Sequence, residues 1–425
     1  MLRTKKLFGS VLLAASTFGS ALAFTVPADA CGGCFHAPSP TAVQVVTDHR
    51  MVFSVSETRT ILWDQFAFSG RPEEFTWILP IRDGANARVE LSDPAFMQSL
   101  DNLTAPRVAA APPPPTRFCD TSDGLFGASR STAAEFGGGN AFDAGVTVLR
   151  EEVVGPYQQQ TIRGEDPNAI RDWLRNNGYF IPPSIEPVLD HYVAARMDFV
   201  ALRLRPGQGV SRMQPVRVTV PGSNPTLPLR MISAGVADKV GLLLMVIAPS
   251  RMEAMGWPNG ELADTDLVYD YNAPSADSGL DFLRAFRALN ARNEERLWLT
   301  ESSSILSSFV VSNAMRGNAG TQPMSMVRDD VERAFEGLGD QANVTRLRAE
   351  LGPRALDRDL QLQASDRGLR DTLYRYGTLR NRPPEPLPCG YVEYKGCSTT
   401  PSRTTGTMGF AALAALAAVL VRRRK

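Results

Sequence analysis

The chain has 425 residues, 43% of them hydrophobic, and 45 basic side chains balance 45 acidic ones. That composition is ordinary for a globular protein. The balance hides a bias, because residues 31–396 carry 37 basic and 44 acidic side chains, a net charge of −7. An anionic body argues against nucleic acid or another polyanion as its main partner.

In chain order, Arg3, Lys5 and Lys6 precede an apolar run from Leu7 to Ala23 and two small-x-small sites, Ala21-Leu22-Ala23 and Ala28-Asp29-Ala30. This is the layout of a secretory signal peptide. Pro27 breaks the apolar helix just ahead of Ala30, so cleavage is expected between Ala30 and Cys31, and residues 1–30 are set aside from the fold. The next stretch reads Cys31-Gly-Gly-Cys34-Phe-His36, with Pro38 and Pro40 behind it. Export favours oxidised cysteines, and a structural disulfide is the preferred reading. A metal site would need a fourth ligand beyond Cys31, Cys34 and His36. A redox pair would need a helix N-terminus that the prolines discourage. Haem attachment fails, because Phe35 and not histidine follows Cys34.

From Thr41 to Ile81 the pattern predicts four strands, Ala42–Thr47, Met51–Val55, Thr60–Phe68 and Glu74–Ile81, paired as an antiparallel meander. Trp63, Phe66, Phe68, Phe75 and Trp77 gather here. They read as core of strands buried on both faces, with an exposed aromatic platform for a sugar or peptide as the rival. Ser92-Asp93-Pro94 caps a helix to about Leu103. Residues 105–144, with Pro112 to Pro115 and Gly137-Gly138-Gly139, predict a mobile insertion loop that holds Cys119. The triple glycine has no Lys-Ser/Thr pair after it, so a phosphate loop is unsupported.

Strands are predicted at Gly145–Val154 and Gln158–Arg163. Helices are predicted from Asp166-Pro167 to Asn177-Gly178 and from Ser184 to about Ala195. Four more strands follow, Asp198–Arg205, Pro215–Val220, Leu227–Ser233 and Val240–Ala248, the last two as a hairpin. Beyond Ser278 helical faces recur: Leu280, Leu283, Phe286 and Leu289, then Val327, Val331, Phe335 and Leu338. A short helix is expected at Asn343–Leu351 and an edge strand at Asp359–Gln363. Arg380 to Pro388 forms a proline-rich stalk to Cys389.

The chain ends with Gly396-Cys397-Ser398, a Ser/Thr-rich spacer, an apolar run from Met408 to Val421 and Arg422-Arg423-Arg424-Lys425. Fourteen apolar residues span about 21 Å as a helix, short of a bilayer core of about 30 Å. The basic end would hold the segment at the cytoplasmic face. This cysteine, apolar helix and arginine end resembles the myxobacterial cysteine-type C-terminal sorting signal (MYXO-CTERM). The resemblance implies that Cys397 is the processing and lipid-attachment position and Arg422 to Arg424 the retention cluster. The spacer Ser398 to Thr407 departs from it, and an ordinary membrane anchor is the alternative. The implied partners are the cell envelope and a sorting or processing protease.

In the body, the blocks Ala30-Cys-Gly-Gly-Cys-Phe35, His49-Arg50-Met51, Leu62-Trp63-Asp64-Gln65, Gly155-Pro156-Tyr157, Asn177-Gly178-Tyr179 with Ile181-Pro182, and Pro228-Leu229-Arg230-Met231 look like those of an uncharacterised bacterial family, domain of unknown function 2330. The resemblance covers about residues 30–365, implies an exported protein, and brings no activity or catalytic residue.

Of the three histidines, His36, His49 and His191, the last two are expected at the surface or in caps. No His-Glu-x-x-His, Gly-x-Ser-x-Gly or Ser-x-x-Lys occurs. Asp264-Thr-Asp266 with Asp270 is like a calcium loop, but Val268 stands where a ligand belongs and the turn glycine is missing. The expected organisation is a signal peptide (1–30), a main domain (31–365), a C-terminal helix and stalk (366–396) and a sorting segment (397–425). The expected fold is α+β, an antiparallel β-rich body with inserted helices and a helical C-terminal third. No catalytic residue, cofactor, metal or nucleic-acid partner is called for. The four body cysteines allow three pairings, with Cys31–Cys34 and Cys119–Cys389 preferred over a stapling of residues 31 and 34 to 119 and 389. The expected role is that of an anchored structural or interaction protein. An extracytoplasmic enzyme, hydrolytic or thiol-based, and a carbohydrate- or peptide-binding module are the alternatives.

Overall fold

A computed structural model describes residues 49–65, 75–109, 146–179, 181, 183–233, 239–272, 278–318 and 324–381, all within one compact unit. The expected strand at 42–47, the insertion from residue 110, all five cysteines and the terminal signals lie outside these residues.

The strands of the two largest sheets, in chain order, are β1 (His49–Val55), β2 (Arg59–Gln65), β3 (Thr76–Ile81), β4 (Arg88–Leu91), β5 (Thr147–Val154), β6 (Tyr157–Arg163), β7 (Asp198–Leu204), β8 (Val216–Pro221), β9 (Val240–Ala248), β10 (Asn259–Gly260), β11 (Trp298–Ser307) and β12 (Gln341–Leu351). Among the described residues seven α-helices join them: α1 (Pro94–Thr104), α2 (Pro167–Asn176), α3 (Glu186–Ala194), α4 (Leu229–Ser233), α5 (Ser278–Arg292), α6 (Ser308–Asn318) and α7 (Met324–Phe335). The fold is mixed, with strand predominating. An eight-stranded sheet runs β10-β11-β12-β9-β1-β2-β8-β4, and a four-stranded antiparallel sheet runs β3-β7-β6-β5.

Period-two alternation builds the layers. Met51, Phe53, Leu62, Leu242 and Leu244 on one face of the large sheet meet Trp77, Leu79, Val200 and Leu202 of the small sheet. The intervening residues Val52, Ile61, Trp63, Met245 and Ile247 face the other way, onto Phe96 and Leu100 of α1, Val311 of α6 and Phe335 of α7. The outer face of the small sheet, with Ile78, Ile162, Phe199 and Ala201, is covered by Trp173 and Leu174 of α2 and Leu189 and Val193 of α3. The stack is helix, sheet, sheet, helix. Trp63, Phe75 and Trp77 are buried, so the aromatic cluster is core, and for these three the platform reading fails.

Local signals set several boundaries as expected. Asp93 caps α1 by accepting from the Ala95 amide at 2.8 Å, and Asp166 caps α2 by accepting from Asn168 at 2.9 Å, each with proline in the first turn. Gly178 follows α2 at φ +76°, a region most side chains avoid.

Long-range pairing departs from expectation. β1 and β2 form the predicted hairpin, but β3 leaves them for the other sheet, so there is no meander. Thr226–Leu227 is a two-residue strand followed by α4, not the strand predicted at 227–233. β9 therefore has no hairpin partner there, and instead pairs parallel to β1 and antiparallel to β12. Asn343–Leu351, expected as a helix, lies within β12, because Val344, Leu347, Ala349 and Leu351 find a sheet to enter. The second helix starts at Glu186 after a short 3₁₀ turn over Pro183–Ile185, and not at a Ser184 cap. On α5 the buried face is Phe282 and Phe286, while Leu280 is exposed. Between residues 366 and 381, where a helix was expected, lie short strands at Leu373–Tyr374 and Thr378–Arg380.

Two buried ionic clusters lock the layers. Asp330 of α7 accepts from Trp63 Nε1 (2.8 Å), Ser92 Oγ (2.9 Å), the Asp93 amide (2.8 Å) and Arg217 Nη1 (2.9 Å). Arg217 also reaches Glu90 at 3.1 Å and Asp329. Burial lifts the Asp330 carboxyl above the usual carboxylate range despite these bonds. The second cluster sits at a β-bulge, where Glu301 is the extra residue of β11 between Thr300 and Ser302. Its fully buried carboxylate takes Arg346 Nε at 2.5 Å and Arg348, and Arg346 continues to Asp101 of α1 at 2.5 Å. Asp101 in turn takes Arg50 at 2.8 Å.

Arg217→Met is expected to cost about 3–5 kcal/mol, since it leaves Asp330 buried without its cation. Asp330→Leu removes the disfavoured charge together with its acceptors and leaves Arg217 paired with Glu90 and Asp329, so it should cost clearly less. Urea midpoints compare the two, and equal losses would mean that charge pairing is not what holds α7 to the sheet.

Burial opposes ionisation of Glu301, but Arg348 and Arg346 outweigh it and hold the carboxyl below the usual range. Asp101 is held down in the same way, against its burial, by Arg346 and Arg50. A depressed folded pKa gives stability that is complete above the ordinary value of about 4.3 and lost as pH falls through the folded one. Glu301→Gln should therefore flatten the acid limb of a stability–pH curve while lowering its neutral plateau. An unchanged acid limb would rule out this linkage.

Candidate functional site

The small sheet ends at β3, and its edge position tolerates Pro80, which offers no amide for a further strand. Beside that edge a cavity of about 220 Å³ lies between the sheets. Its apolar lining comes from Phe53, Leu62, Val218 and Val220 of the large sheet, Leu79, Pro80 and Ile81 of β3, and Met197 just beyond α3. Its polar lining comes from four separate segments: Thr60, Arg82, His191 with Tyr192, and Asn224 with Thr226; Asp359 adds a fifth.

Some of these groups are already engaged. Thr60 Oγ1 donates to the Gly222 carbonyl at 2.9 Å and accepts from the Asn224 amide at 2.8 Å, which shapes the 222–226 wall. Thr226 Oγ1 donates to Asn224 Oδ1 at 3.0 Å. Tyr192 Oη donates to Asp359 Oδ1 at 2.6 Å, and the Arg230 amide donates to the same oxygen at 3.2 Å. Burial, reinforced by the charge of Asp359, pushes the Tyr192 phenol far up, so it stays a proton donor. Asp359 Oδ2 accepts no hydrogen bond among the described residues. Neither Arg82 nor the exposed His191 makes a side-chain hydrogen bond or ion pair there; the His191 ring only packs edge-on to Tyr192, with centroids 5.3 Å apart. The arrangement can present a cation, an imidazole and a carboxylate to something held in an apolar slot.

The other sequence candidates fall elsewhere. His49 is buried, not at the surface, with Nδ1 3.5 Å from Asp64 Oδ1, and Trp77 Nε1 donates to Asp64 Oδ2 at 3.2 Å. This cluster pins the two sheets together. Asp266 and Asp264 cap the backbone of Ala263 and Arg375, and Asp270 caps Asn272. Those carboxylates are used as caps, and among the described residues no three His, Cys, Asp or Glu side chains group as a metal site. Cys31, Cys34, Cys119, Cys389, Cys397 and Ala30 lie outside the described residues. No helix among the described residues is long and apolar enough to cross a membrane. An apolar surface, with Ile305, Phe309 and Val310 exposed, lies where β11 runs into α6.

The profile of the family described as an uncharacterized protein conserved in bacteria (DUF2330) matches residues 27–360. The chain belongs to this family. Its span takes in both sheets and every cavity-lining residue, Asp359 included. No curated protein and no solved structure matches the chain.

Sequence reasoning expected His191 only at the surface or in a cap, where it is indeed exposed, and did not single out Arg82, Tyr192 or Asp359. They come from three separate segments, the end of β3, α3 and the run-in to Leu360, with no common spacing, so no local motif marks them. The one available hint was Asp359 ahead of an alternating strand.

Tyr192→Phe should cost about 1.5–3 kcal/mol, as expected for a buried hydrogen bond to a charged group, with little change in m-value. Urea denaturation checks it; a neutral substitution would mean that Asp359 is held by the Arg230 amide alone.

Proposed function

We propose that this family member is an exported, envelope-anchored interaction protein whose folded domain holds a ligand in the cleft beside β3. The observation that carries the binding half is the cleft itself: an apolar slot, already formed, bordered by a carboxylate oxygen, a guanidinium and an imidazole with no other use among the described residues. The anchoring half is supported by the sequence at the two ends, the leader up to Ala30 and the segment from Cys397 to Lys425. In this reading Cys397 is the processing and lipid-attachment position, and the partners are the membrane and the protease that trims the tail. Its resemblance to the MYXO-CTERM signal belongs to the same proposal, as do disulfides among Cys31, Cys34, Cys119 and Cys389.

A second reading, an extracytoplasmic enzyme, draws on His191 and Asp359 lining one cleft. It is the weaker of the two because Asp359 is engaged by Tyr192 and Arg230, and no base–carboxylate hydrogen bond of the kind a catalytic histidine uses joins it to His191.

Cys397→Ala should leave the protein exported but unprocessed or mislocalised, read by fractionation and the mass of the mature C-terminus. Finding Arg422 to Lys425 still attached to surface-exposed protein would sink the sorting signal and leave a plain anchor.

A further inference from the structure

The chemistry of the cleft narrows what it can take, and the argument rests on the binding reading above. A volume of about 220 Å³ lies below the ~300–1,000 Å³ of pockets for drug-sized ligands, which favours an occupant of about amino-acid size. Its walls divide into an apolar part and two opposite charges. Phe53, Leu62, Leu79 and Val218 can exchange poorly hydrogen-bonded water for an aliphatic or aromatic group. On the polar side, Asp359 is fixed through Oδ1 by Tyr192 and the Arg230 amide, and Oδ2 is left to accept. Arg82 supplies an unspent guanidinium at the exposed rim.

We propose that the cleft binds a small zwitterion with an apolar side chain, a free α-amino acid of the leucine or phenylalanine class. Its ammonium sits on Asp359 Oδ2, its carboxylate on Arg82, and its side chain in the slot between the sheets. A purely anionic ligand would seal a half-buried carboxylate away from water with no donor, which is the costly arrangement. A purely cationic ligand would leave Arg82 unpaired, which costs little because Arg82 stays solvated. The two charges therefore contribute unequally, and Asp359 carries more of the recognition than Arg82.

Isothermal titration of the full chain tests this with leucine, phenylalanine, glycine, leucinamide and N-acetylleucine. Leucine and phenylalanine should saturate one site. Glycine, which has no side chain to fill the slot, should give no saturable heat. Leucinamide, which keeps the ammonium, should bind several-fold more weakly than leucine, and N-acetylleucine, which loses it, at least tenfold more weakly. Asp359→Asn, which retains an acceptor for Tyr192, should weaken leucine at least tenfold. Arg82→Gln, at an exposed position where folding is not at stake, should weaken it several-fold and abolish the preference for leucine over leucinamide. No saturable binding of leucine or phenylalanine, or N-acetylleucine binding as tightly as leucine, overturns the proposal. Failure of the anchoring reading appears separately: a chain that binds leucine but never reaches the envelope refutes only localisation, and an anchored chain that ignores amino acids refutes only this ligand.

Discussion

Burial of the large sheet on both faces is the constraint from which the rest of the architecture follows. Each central strand sends one set of side chains toward the second sheet and the alternate set toward α1, α6 and α7. A sheet with two apolar faces needs two covers, and a second sheet used as a cover exposes a new apolar face of its own. Helices α2 and α3 meet that need. Four layers are the result, and the cleft lies where the third layer stops short, at the β3 edge.

Two of the charges inside such a stack are densely matched. Glu301 is wholly buried, yet two arginines satisfy it, and the bulge that displaces it from the ladder is what aims it at both. Asp330 gathers four donors from β2, β8 and the chain just before α1. Three successive glutamines of β6 are engaged as well: Gln158 accepts from Arg203, Gln159 donates to Thr161, and Gln160 accepts from Tyr179. The groups at the cleft differ from these. Asp359 is half satisfied, and Arg82 is not engaged. Spare polar capacity beside an apolar slot is what sets the cleft apart from these two clusters.

What the sequence made legible was local. The caps Asp93 and Asp166, the β1–β2 hairpin and most strands follow from short-range patterns that a few residues determine. Partner choice was not legible. Nothing in the alternation of Val240–Ala248 says that its neighbours are His49–Val55 and Gln341–Leu351, because a strand apolar on both faces suits any central position. Asn343–Leu351 was misread as a helix although the signal was there, since Leu347, Ala349 and Leu351 alternate with Arg346, Arg348 and Glu350 at the period of a strand. Trp63 and Trp77 were placed correctly in the core because bulky rings in two-faced strands have nowhere else to go. The cleft could not be read at all, since its polar groups meet only after α3, the 222–228 segment and the run-in to Leu360 have been brought to one edge.

The strand order has a temporal side. β1 lies between β2 and β9, so the middle of the large sheet cannot close until residues almost two hundred positions downstream are present, and β12 lies a hundred further on. Contacts so distant in sequence make folding slow, because loop closure must precede any gain from pairing. The small sheet has no such dependence, because all four of its strands lie before Arg205, so it can be complete while the middle of the large sheet still waits for β9 and β12.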